Sequence, residues 1–189
     1  GYLKYTYTAS EIQPDMLNAD ITQTTDSPSW GGLYLQYFEK FDQVQQQKGI
    51  LSVTKKLFIE KIGSDGKQEL LPLGKEKLKT GDKVITRLTL SLKQYMDFLY
   101  LKDFRAACFE PIGQLSGNQW KFGTVYYEES KDAVTNFFFN SLAKGTYVLE
   151  YPVWVNQAGT YQDGIATFQS MYAPEYTAYS EAGKITVTK

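Results

Sequence analysis

The chain has 189 residues, of which 20 are basic and 21 acidic, so its formal net charge is −1. This balance argues against a nucleic-acid partner or a membrane surface, because both select proteins with a cationic face. Histidine is absent and Cys108 is the single cysteine, which excludes histidine-dependent catalytic triads, imidazole zinc sites and an internal disulfide. We interpret Cys108 as a small buried hydrophobic residue.

Aromatic residues are unusually frequent, with 15 Tyr, 11 Phe and 3 Trp. Such residues favour pleated strands, so we predict an all-β protein. No apolar run approaches the ~20 residues of a membrane-spanning helix and no signal peptide is recognisable, so direct membrane insertion is not expected. The sequence opens Gly1-Tyr2-Leu3 without Met. Our hypothesis is that Gly1 is a cloning remnant and that the chain is part of a longer parent.

The first 48 residues carry three alternating stretches. We predict strands at Tyr2–Ala9, Met16–Thr25 and Leu33–Phe38, followed by one or two helical turns within Glu39–Lys48. The polar stretch Gln43–Lys48 is interpreted as a linker. Three strands are too few for an independent core. We expect them to pack on the following domain, to leave an open edge, or to pair with strands outside this chain.

From Gly49 onward the pattern is a regular series of short strands with Gly-rich turns. The Gly63–Gly66 stretch predicts a hairpin turn, Gly74–Asp82 a charged connector, and Gly113–Gly123 a loop around Trp120. Strands at this spacing predict an antiparallel β-sandwich of immunoglobulin-like architecture. The predicted strands are Leu51–Lys61, Gln68–Pro72, Val84–Leu92, Tyr95–Pro111, Val125–Tyr127, Ala133–Asn140, Tyr147–Val155, Ile165–Met171 and Ile185–Thr188.

Two strands show the alternation of a half-buried sheet most clearly. Val84–Leu92 and Tyr147–Val155 place apolar side chains at every second residue. Pro152 cannot donate a ladder hydrogen bond, so its strand should be an edge strand or carry a bulge. In the run of three phenylalanines, Phe138 should face away from Phe137 and Phe139.

Acidic residues do not form a recognisable catalytic pair. Asp97 and Asp103 would lie ~20 Å apart along one strand, too far for the two carboxylates of a glycosidase. We interpret them as solvated or turn-stabilising carboxylates. Turns around Asp65 and Asp163 offer too few oxygen ligands for Ca²⁺. We therefore predict no enzyme activity, no cofactor and no metal ion.

Aromatic clusters leave one alternative function open. Exposed rings could stack on sugars, which would make the chain a free-standing surface β-sandwich that binds glycan. We favour the interpretation that these rings form the core and cross-strand pairs, because a phenylalanine run in a strand must fill both faces. The rings concerned are Tyr126, Tyr127, Phe137, Phe138, Phe139, Tyr172, Tyr176 and Tyr179.

Four short motifs occur in an order that resembles the C-terminal region of bacterial alpha-2-macroglobulins. A strand enters an Asp and then a small-residue corner that ends in Phe-Glu-Pro. An acidic turn with a phenylalanine-rich strand and a Gly-Thr-Tyr turn follows, then a closing Met-Tyr-Ala-Pro segment, and a Trp-Gly-Gly segment lies upstream. Where the family commonly has Gly, this chain has Cys108. The motif residues are Trp30, Gly31, Asp103, Phe109, Glu110, Pro111, Gly145, Tyr147, Met171, Tyr172, Ala173 and Pro174.

The resemblance implies a macroglobulin-type fold and a mechanical role. Residues 1–48 would be strands that follow the thioester domain, a CUB-like remnant with its linker, and residues 49–189 the last macroglobulin domain. The chain lacks a Cys-x-Glu-Gln motif and would be a non-catalytic module of a protease inhibitor that restrains the thioester domain. Its implied partners are the thioester and neighbouring macroglobulin domains and, through the parent, target proteases. The implied location is the periplasm or cell envelope, with a lipid-anchored parent. Most Phe and Tyr side chains should then be buried.

Overall fold

The computed structural model describes residues 2–74, 77–113, 115–121 and 123–189, without the side chain of Leu17. Gly1, the middle of the predicted charged connector and two positions of the predicted 113–123 loop therefore lie outside the described residues. The chain divides into two units, residues 1–37 and residues 38–189.

The first unit contains one short 3-10 helix, Pro14–Leu17, and no strand among its described residues. The strands predicted at Tyr2–Ala9, Met16–Thr25 and Leu33–Phe38 are therefore wrong. Alternating side chains define two faces, but a ladder also needs a partner strand to receive its hydrogen bonds. The described part of this unit forms local turns instead, such as the hydrogen bond from Glu11 N to Thr8 O at 3.0 Å.

The second unit begins with an irregular segment and a second 3-10 helix, Phe41–Gln43. The helical turns predicted within Glu39–Lys48 are thus reduced to a single short 3-10 segment. The carboxylate of Asp42 pairs with Lys184 at 2.7 Å. Gln47 forms an isolated antiparallel bridge with Tyr179. These contacts fix the segment on the C-terminal part of the sandwich.

The strands of the second unit account for nearly all of its regular structure. They are β1 (Leu51–Ile62), β2 (Gln68–Pro72), β3 (Leu78–Lys79), β4 (Lys83–Leu92), β5 (Met96–Phe104), β6 (Phe109–Pro111), β7 (Gly117–Lys121), β8 (Thr124–Ser130), β9 (Val134–Leu142), β10 (Gly145–Val155), β11 (Gly159–Asp163), β12 (Ala166–Ser170), β13 (Thr177–Tyr179) and β14 (Gly183–Thr188).

Two larger sheets and one small sheet form the sandwich. The first has the order β2-β1-β4-β10-β6, the second β13-β12-β5-β9-β8-β7, and the small sheet β11-β14-β3. The pairs are antiparallel except β3 with β14, which is parallel. The Phe137 ring of β9 lies 6.0 Å from the Tyr151 ring of β10, so the two larger sheets face each other. The predicted antiparallel β-sandwich is confirmed.

The core lies between the larger sheets and follows the predicted alternation. Val84, Leu88 and Leu90 of β4 are fully buried, while Arg87 and Thr89 on the opposite face are half-buried. Phe137 and Phe139 point into the core, whereas Phe138 lies on the other face and stacks on Tyr100 with ring centroids 4.9 Å apart. This alternation confirms the predicted phase of both strands.

Pro152 sits where its missing N–H costs no ladder bond. Its carbonyl accepts from Ile112 N at 3.2 Å, so its backbone points away from β4. On that side the short strand β6 pairs only with Val153–Val155 of β10. The prediction of an edge strand is therefore correct only in part: β10 lies between β4 and β6 in the sheet, but its pairing with β6 begins after Pro152.

The predicted strand Tyr95–Pro111 is wrong as one continuous element. The structure divides it into β5 in the second sheet and β6 in the first sheet. The residues between them form a corner in which Phe109 N donates to Ala106 O at 2.9 Å. Small side chains at Ala106 and Cys108 allow the chain to cross between the sheets, and both are buried.

Four short strands have no counterpart in the sequence prediction. They are β3, β7, β11 and β13, and their lengths of 2 to 5 residues give too few alternations to recognise. Strand β7 lies within the predicted 113–123 loop. Strand β3 lies within the predicted connector. Strand β3 forms only by pairing with β14, which is distant in sequence. Strand β7 pairs with β8, which is longer than β7.

We predict that Leu88→Ala lowers the free energy of unfolding by about 2–5 kcal/mol, because it removes a fully buried side chain from a well-packed core. The matched control is Thr89→Ala on the outer face of the same strand, with an expected change within about 0.5 kcal/mol. Urea denaturation followed by fluorescence measures both. Equal effects of the two substitutions would contradict the assigned strand phase.

Candidate functional site: a charged cluster between the sheets

Three polar side chains occupy inward positions that apolar residues hold elsewhere on the same strands. Lys55 shares a face of β1 with Val53 and Leu57, which are buried. Asp103 takes the corresponding position on β5 and Tyr151 on β10. The Asp103 side chain is 0% exposed and that of Lys55 only 3%. Charged side chains are rarely buried without partners. We therefore take this cluster, together with the groups that contact it, as the candidate site.

The Lys55 ammonium lies at the centre of the cluster. Its Nζ is 3.0 Å from Oδ1 of Asp103 and 2.9 Å from Oδ1 of Asp163. It also donates to the carbonyl oxygens of Phe104 at 2.7 Å and Gly164 at 2.8 Å. Four oxygen atoms therefore surround Nζ, and two of them belong to carboxylates. An ammonium has only three N–H donors for these four oxygens.

The second oxygen of Asp103 is also engaged. The Tyr151 hydroxyl donates a hydrogen bond to Oδ2 of Asp103. Burial and then the neighbouring Asp103 charge raise the pKa of Tyr151 well above its usual value, so the phenol stays protonated and donates. The interpretation of Asp103 as a solvated or turn-stabilising carboxylate is therefore wrong. It is a buried ion-pair partner that joins the two larger sheets.

The protonation of the other two groups follows from their surroundings. Burial raises the pKa of Asp163, although the Lys55 charge opposes this effect. For Lys55, burial lowers the pKa, but the carboxylates of Asp103 and Asp163 together reverse this and raise it. The ammonium is thus the stable form of Lys55 beside the two carboxylates. A proton that passes from Nζ of Lys55 to Oδ1 of Asp163 crosses a separation of 2.9 Å.

Gly164 brings the turn between β11 and β12 against the end of β5. A Cβ atom on Gly164 would lie 2.2 Å from the Phe104 carbonyl oxygen. Phe104 N donates to Ile165 O at 3.2 Å across the same contact. Only a residue without a side chain permits this approach, and the approach places the Gly164 carbonyl on Lys55.

Arg105 forms a second anchor next to Asp103. Its guanidinium donates hydrogen bonds to the Thr135 hydroxyl and to the Lys131 carbonyl. It also donates to the Asp132 carbonyl at 2.9 Å. These contacts tie the corner after β5 to the acidic turn before β9, so an arginine from that corner holds the turn that the sequence motif contains.

The Phe-Glu-Pro motif forms the far side of the corner. Phe109 is buried, Pro111 is half-buried and Glu110 is exposed. The carbonyl of Cys108 accepts from Asn156 N at 2.9 Å. Cys108 is 0% exposed and burial raises its pKa to about 11, which agrees with its interpretation as a small buried residue.

The remaining motif residues do not join the charged cluster. Gly145 begins β10, and the Tyr147 hydroxyl donates to Ala143 O at 3.1 Å. The Met-Tyr-Ala-Pro segment is the turn between β12 and β13: Met171 and Tyr172 are exposed, Ala173 is half-buried and Pro174 is exposed. Trp30 and Gly31 belong to the first unit and are exposed. Of the predicted motif residues, only Asp103 lies within the cluster.

The aromatic side chains divide between core and surface. Tyr126 is 3% exposed and packs near Phe137 and Phe139, so it offers no face to a sugar. Tyr127 remains 42% exposed. The expectation that most Phe and Tyr side chains are buried is wrong, because the tyrosines of residues 2–37 lie on a segment without sheet partners and are exposed.

Within the part of the chain that the structure describes, no group of three or more Cys, Asp or Glu side chains is arranged to hold a metal ion. Among the same residues, no helix has the length and apolar character needed to cross a membrane.

The two facing antiparallel sheets, joined by a corner after β5 and closed by a small third sheet, define a macroglobulin-type β-sandwich. Residues 51–175 match the family model of the Bacterial Alpha-2-macroglobulin MG10 domain. This chain belongs to the bacterial alpha-2-macroglobulin family, as the sequence motifs predicted.

Solved structures of this family share the fold. The chain is 20% identical to the Salmonella alpha-2-macroglobulin reacted with methylamine, with a TM-score of 0.59 over 77% of this chain and 10% of that one. It is 17% identical to the trypsin-activated Escherichia coli protein, with a TM-score of 0.59 and coverage of 77% and 11%. It is 18% identical to the native Escherichia coli protein, with a TM-score of 0.58 over 82% of this chain and 10% of that one. The chain thus spans about a tenth of the length of these relatives. No curated protein matches the sequence.

Sequence reasoning missed Lys55, Tyr151 and Arg105, although a signal was present for the first two. Lys55 falls on the same alternation as Val53 and Leu57 of β1, which is an unusual place for a lysine in a sandwich. Asp103 likewise falls on the inward alternation of its own strand, β5, so the two patterns together indicate a pair between Lys55 and Asp103. Asp163 and Gly164 lie at a turn, where alternation gives no signal.

We predict that Gly164→Ala lowers the free energy of unfolding by about 1–3 kcal/mol or more, because the new methyl group overlaps the Phe104 carbonyl. Gly183→Ala is the matched control, since no atom lies within 4 Å of the position that its new methyl group would take. Its expected effect is neutral or slightly stabilising. Thermal and urea denaturation compare the two. Full stability of Gly164→Ala would exclude the close approach described here.

We predict that Cys108 makes stability fall as the pH rises above 9.0. The folded thiol keeps its proton up to a pKa of about 11, whereas the unfolded thiol loses it near 9.0. The unfolded state therefore binds fewer protons in this window, and stability decreases with pH. Urea denaturation under reducing conditions between pH 8 and pH 11 should show a shallower fall for Cys108→Ala. Identical pH profiles would contradict the burial of the thiol.

Proposed function

We propose that this chain is the non-catalytic C-terminal module of a bacterial alpha-2-macroglobulin-like protease inhibitor, where it packs against and restrains the thioester domain during protease trapping. The match of residues 51–175 to the MG10 domain carries this proposal. In this scheme residues 1–48 follow the thioester domain and residues 49–189 are the last macroglobulin domain. The parent resides in the periplasm or cell envelope through a lipid anchor.

Two states of one relative support a role as a rigid module. The fold of this chain is similar to the native Escherichia coli protein and to the trypsin-activated protein, with TM-scores of 0.58 and 0.59. A domain whose fold is alike in both states transmits movement as a body. Since this chain spans about a tenth of each relative, contact with the protease and covalent capture belong to the rest of the parent.

An exposed aromatic segment, residues 30–37, supports contact with another domain. Trp30 and Tyr34 are each 88% exposed, and Leu33, Leu35 and Tyr37 are exposed beside them in sequence. Large apolar side chains left in solvent indicate interaction surfaces, and Trp and Tyr contribute most strongly to binding energy. We assign this aromatic segment to the contact with the thioester domain.

Binding of the 189-residue chain to the separately produced thioester domain of its parent tests the proposal by isothermal titration calorimetry. The double variant Trp30→Ala/Tyr34→Ala should weaken binding about 10³-fold, because hot-spot aromatics contribute about 2 kcal/mol each and the two losses add. Trp120→Ala, which truncates a tryptophan that is 83% exposed on β7, is the matched control and should leave affinity unchanged.

Two results would contradict the proposal. The first is absence of binding by the unaltered chain, and the second is an equal loss of affinity in the Trp120→Ala control. Retention of the chain on immobilised polysaccharide, lost on Tyr127→Ala, would favour the glycan-binding alternative instead.

A further inference from the structure

We propose that Lys55 and Asp103 form an intramolecular isopeptide bond without an external enzyme, and that Asp163 transfers the proton for it. The product is an amide between Nζ of Lys55 and Cγ of Asp103. It would join β1 of the first sheet covalently to β5 of the second. This inference depends on the charged cluster alone and is independent of the proposed function.

The reacting groups are already in contact. Nζ of Lys55 lies 3.0 Å from Oδ1 of Asp103, which places the amine within reach of the adjacent carboxyl carbon. Fixed contact of this kind replaces a bimolecular encounter by a unimolecular step and provides a large effective concentration. Both side chains are almost fully shielded from water, at 3% and 0% exposure. Hydrolysis of the product is therefore disfavoured.

The four oxygens around Nζ assign a task to each of its bonds. Two N–H groups donate to the carbonyls of Phe104 and Gly164, at 2.7 and 2.8 Å. The Oδ1 atom of Asp163 lies 2.9 Å from Nζ, within reach of the third hydrogen. Transfer of that proton to Asp163 leaves a neutral amine. Its lone pair is then free to attack Asp103, because the two carbonyls still hold the other N–H groups.

The electrophile is activated by Tyr151. The tyrosine hydroxyl donates to Oδ2 of Asp103, so it withdraws electron density from the carboxyl group and stabilises negative charge that develops on Oδ2 during attack. Because burial and the Asp103 charge raise the pKa of Tyr151, the phenol retains the proton that this role needs. Arg105 follows two residues after Asp103, and its guanidinium is already held by Thr135, Lys131 and Asp132.

Burial lowers the cost of moving a proton from Lys55 to Asp163 within the cluster, although the ammonium remains the stable form of Lys55. A neutral amine beside a neutral acid costs less in a buried site than separated charges. Burial raises the pKa of Asp163, and the nearby Asp103 charge acts in the same direction. Asp163 is thus suited to accept a proton from Lys55 and return it, which is the behaviour of a general base that becomes a general acid.

The step balances without an added reagent. The Lys55 ammonium gives one proton to Asp163, and the amine then forms the N–C bond to Cγ of Asp103. Asp163 returns that proton to Oδ1, and a second proton passes from nitrogen to the same oxygen. The C–Oδ1 bond breaks and one water molecule leaves. No group is oxidised or reduced, and the starting ion pair becomes a neutral amide.

The structure provides an exit for this water. A surface groove of about 490 Å³ is lined by Lys55 and Asp163 together with residues of β1, β14 and the segment after β2. The reacting atoms are therefore shielded by the sheets but border a groove on the Asp163 side. The partial exposure of the Asp163 side chain, 17%, fits this position.

Intact mass spectrometry of the purified, fully denatured 189-residue chain tests the proposal. The expected mass is one water molecule below that calculated from the sequence. Digestion should yield a branched peptide in which Lys55 and Asp103 are linked, and fragmentation locates the link. A chain of full calculated mass after prolonged incubation, with unlinked Lys55 and Asp103 peptides, would overturn the proposal without the need for any variant.

Matched variants separate this bond from other losses of water. Asp65-Gly66 and Asp163-Gly164 are sequences at which an aspartate can cyclise to a succinimide with the same loss of mass. Lys55→Arg keeps the positive charge but cannot form the amide, so it should have its full calculated mass. A loss of water that persists in Lys55→Arg would assign the loss to succinimide and overturn the proposal.

Two aspartate variants test the separate roles. Asp163→Asn should keep the near-ultraviolet circular dichroism of the folded protein. Its rate of cross-link formation should fall about 10²-fold or more, which is the range of general acid–base catalysis. Asp103→Asn should still react but release ammonia, so its mass falls by one ammonia molecule. Unchanged cross-linking in folded Asp163→Asn would exclude Asp163 as the proton-transfer group. Retention of the full mass by folded Asp103→Asn would count against attack at this carbon.

Discussion

The contact between Lys55 and Asp103 is the constraint on which the geometry of the sandwich depends. Taking two ions out of water costs several kcal/mol each, and close partners around the ions must offset this cost. Here the partners come from distant parts of the chain: the Phe104 carbonyl at the end of β5, the Gly164 carbonyl after β11, and the Tyr151 hydroxyl on β10. The two larger sheets and the small sheet must therefore meet at one point.

Alternation predicted the strands that have long partners within the chain. Val84–Leu92 and Tyr147–Val155 were located correctly because ten residues of β4 pair with each neighbour, β1 and β10. The same pattern failed for residues 2–38, because it defines two faces but does not say whether a partner strand exists. The family motifs were sufficient to identify the family, since they describe corners whose order in the chain survives changes at individual positions.

The candidate site was harder to predict, for a physical reason. The interpretation of Asp103 as a solvated or turn-stabilising carboxylate rests on its distance from Asp97, whereas its phase with Leu99 and Leu101 places it inside. Which lysine meets it depends on how the two sheets are stacked, and neither strand alone contains that information. Gly164 lies at a turn, so its role follows only from the 2.2 Å separation that a Cβ atom would have from Phe104 O.

Most of the family motif residues shape the backbone. Phe109 and Ala106 form the crossing between sheets, and the Met-Tyr-Ala-Pro turn joins β12 to β13. These motifs therefore fix where the chain turns and where it crosses between the sheets. The charged cluster around Lys55 and Asp103 lies in a different place, between the sheets.

The parallel pairing of β3 with β14 has a consequence for synthesis of the protein. Val187 and Thr188 lie beside Leu78 and Lys79, and Leu78, Ile185 and Val187 complete the core. Contacts between residues so far apart in sequence form late and slow folding. The chain must therefore be present as far as Thr188 before the small sheet can close. Until then Leu78 cannot complete its part of the core.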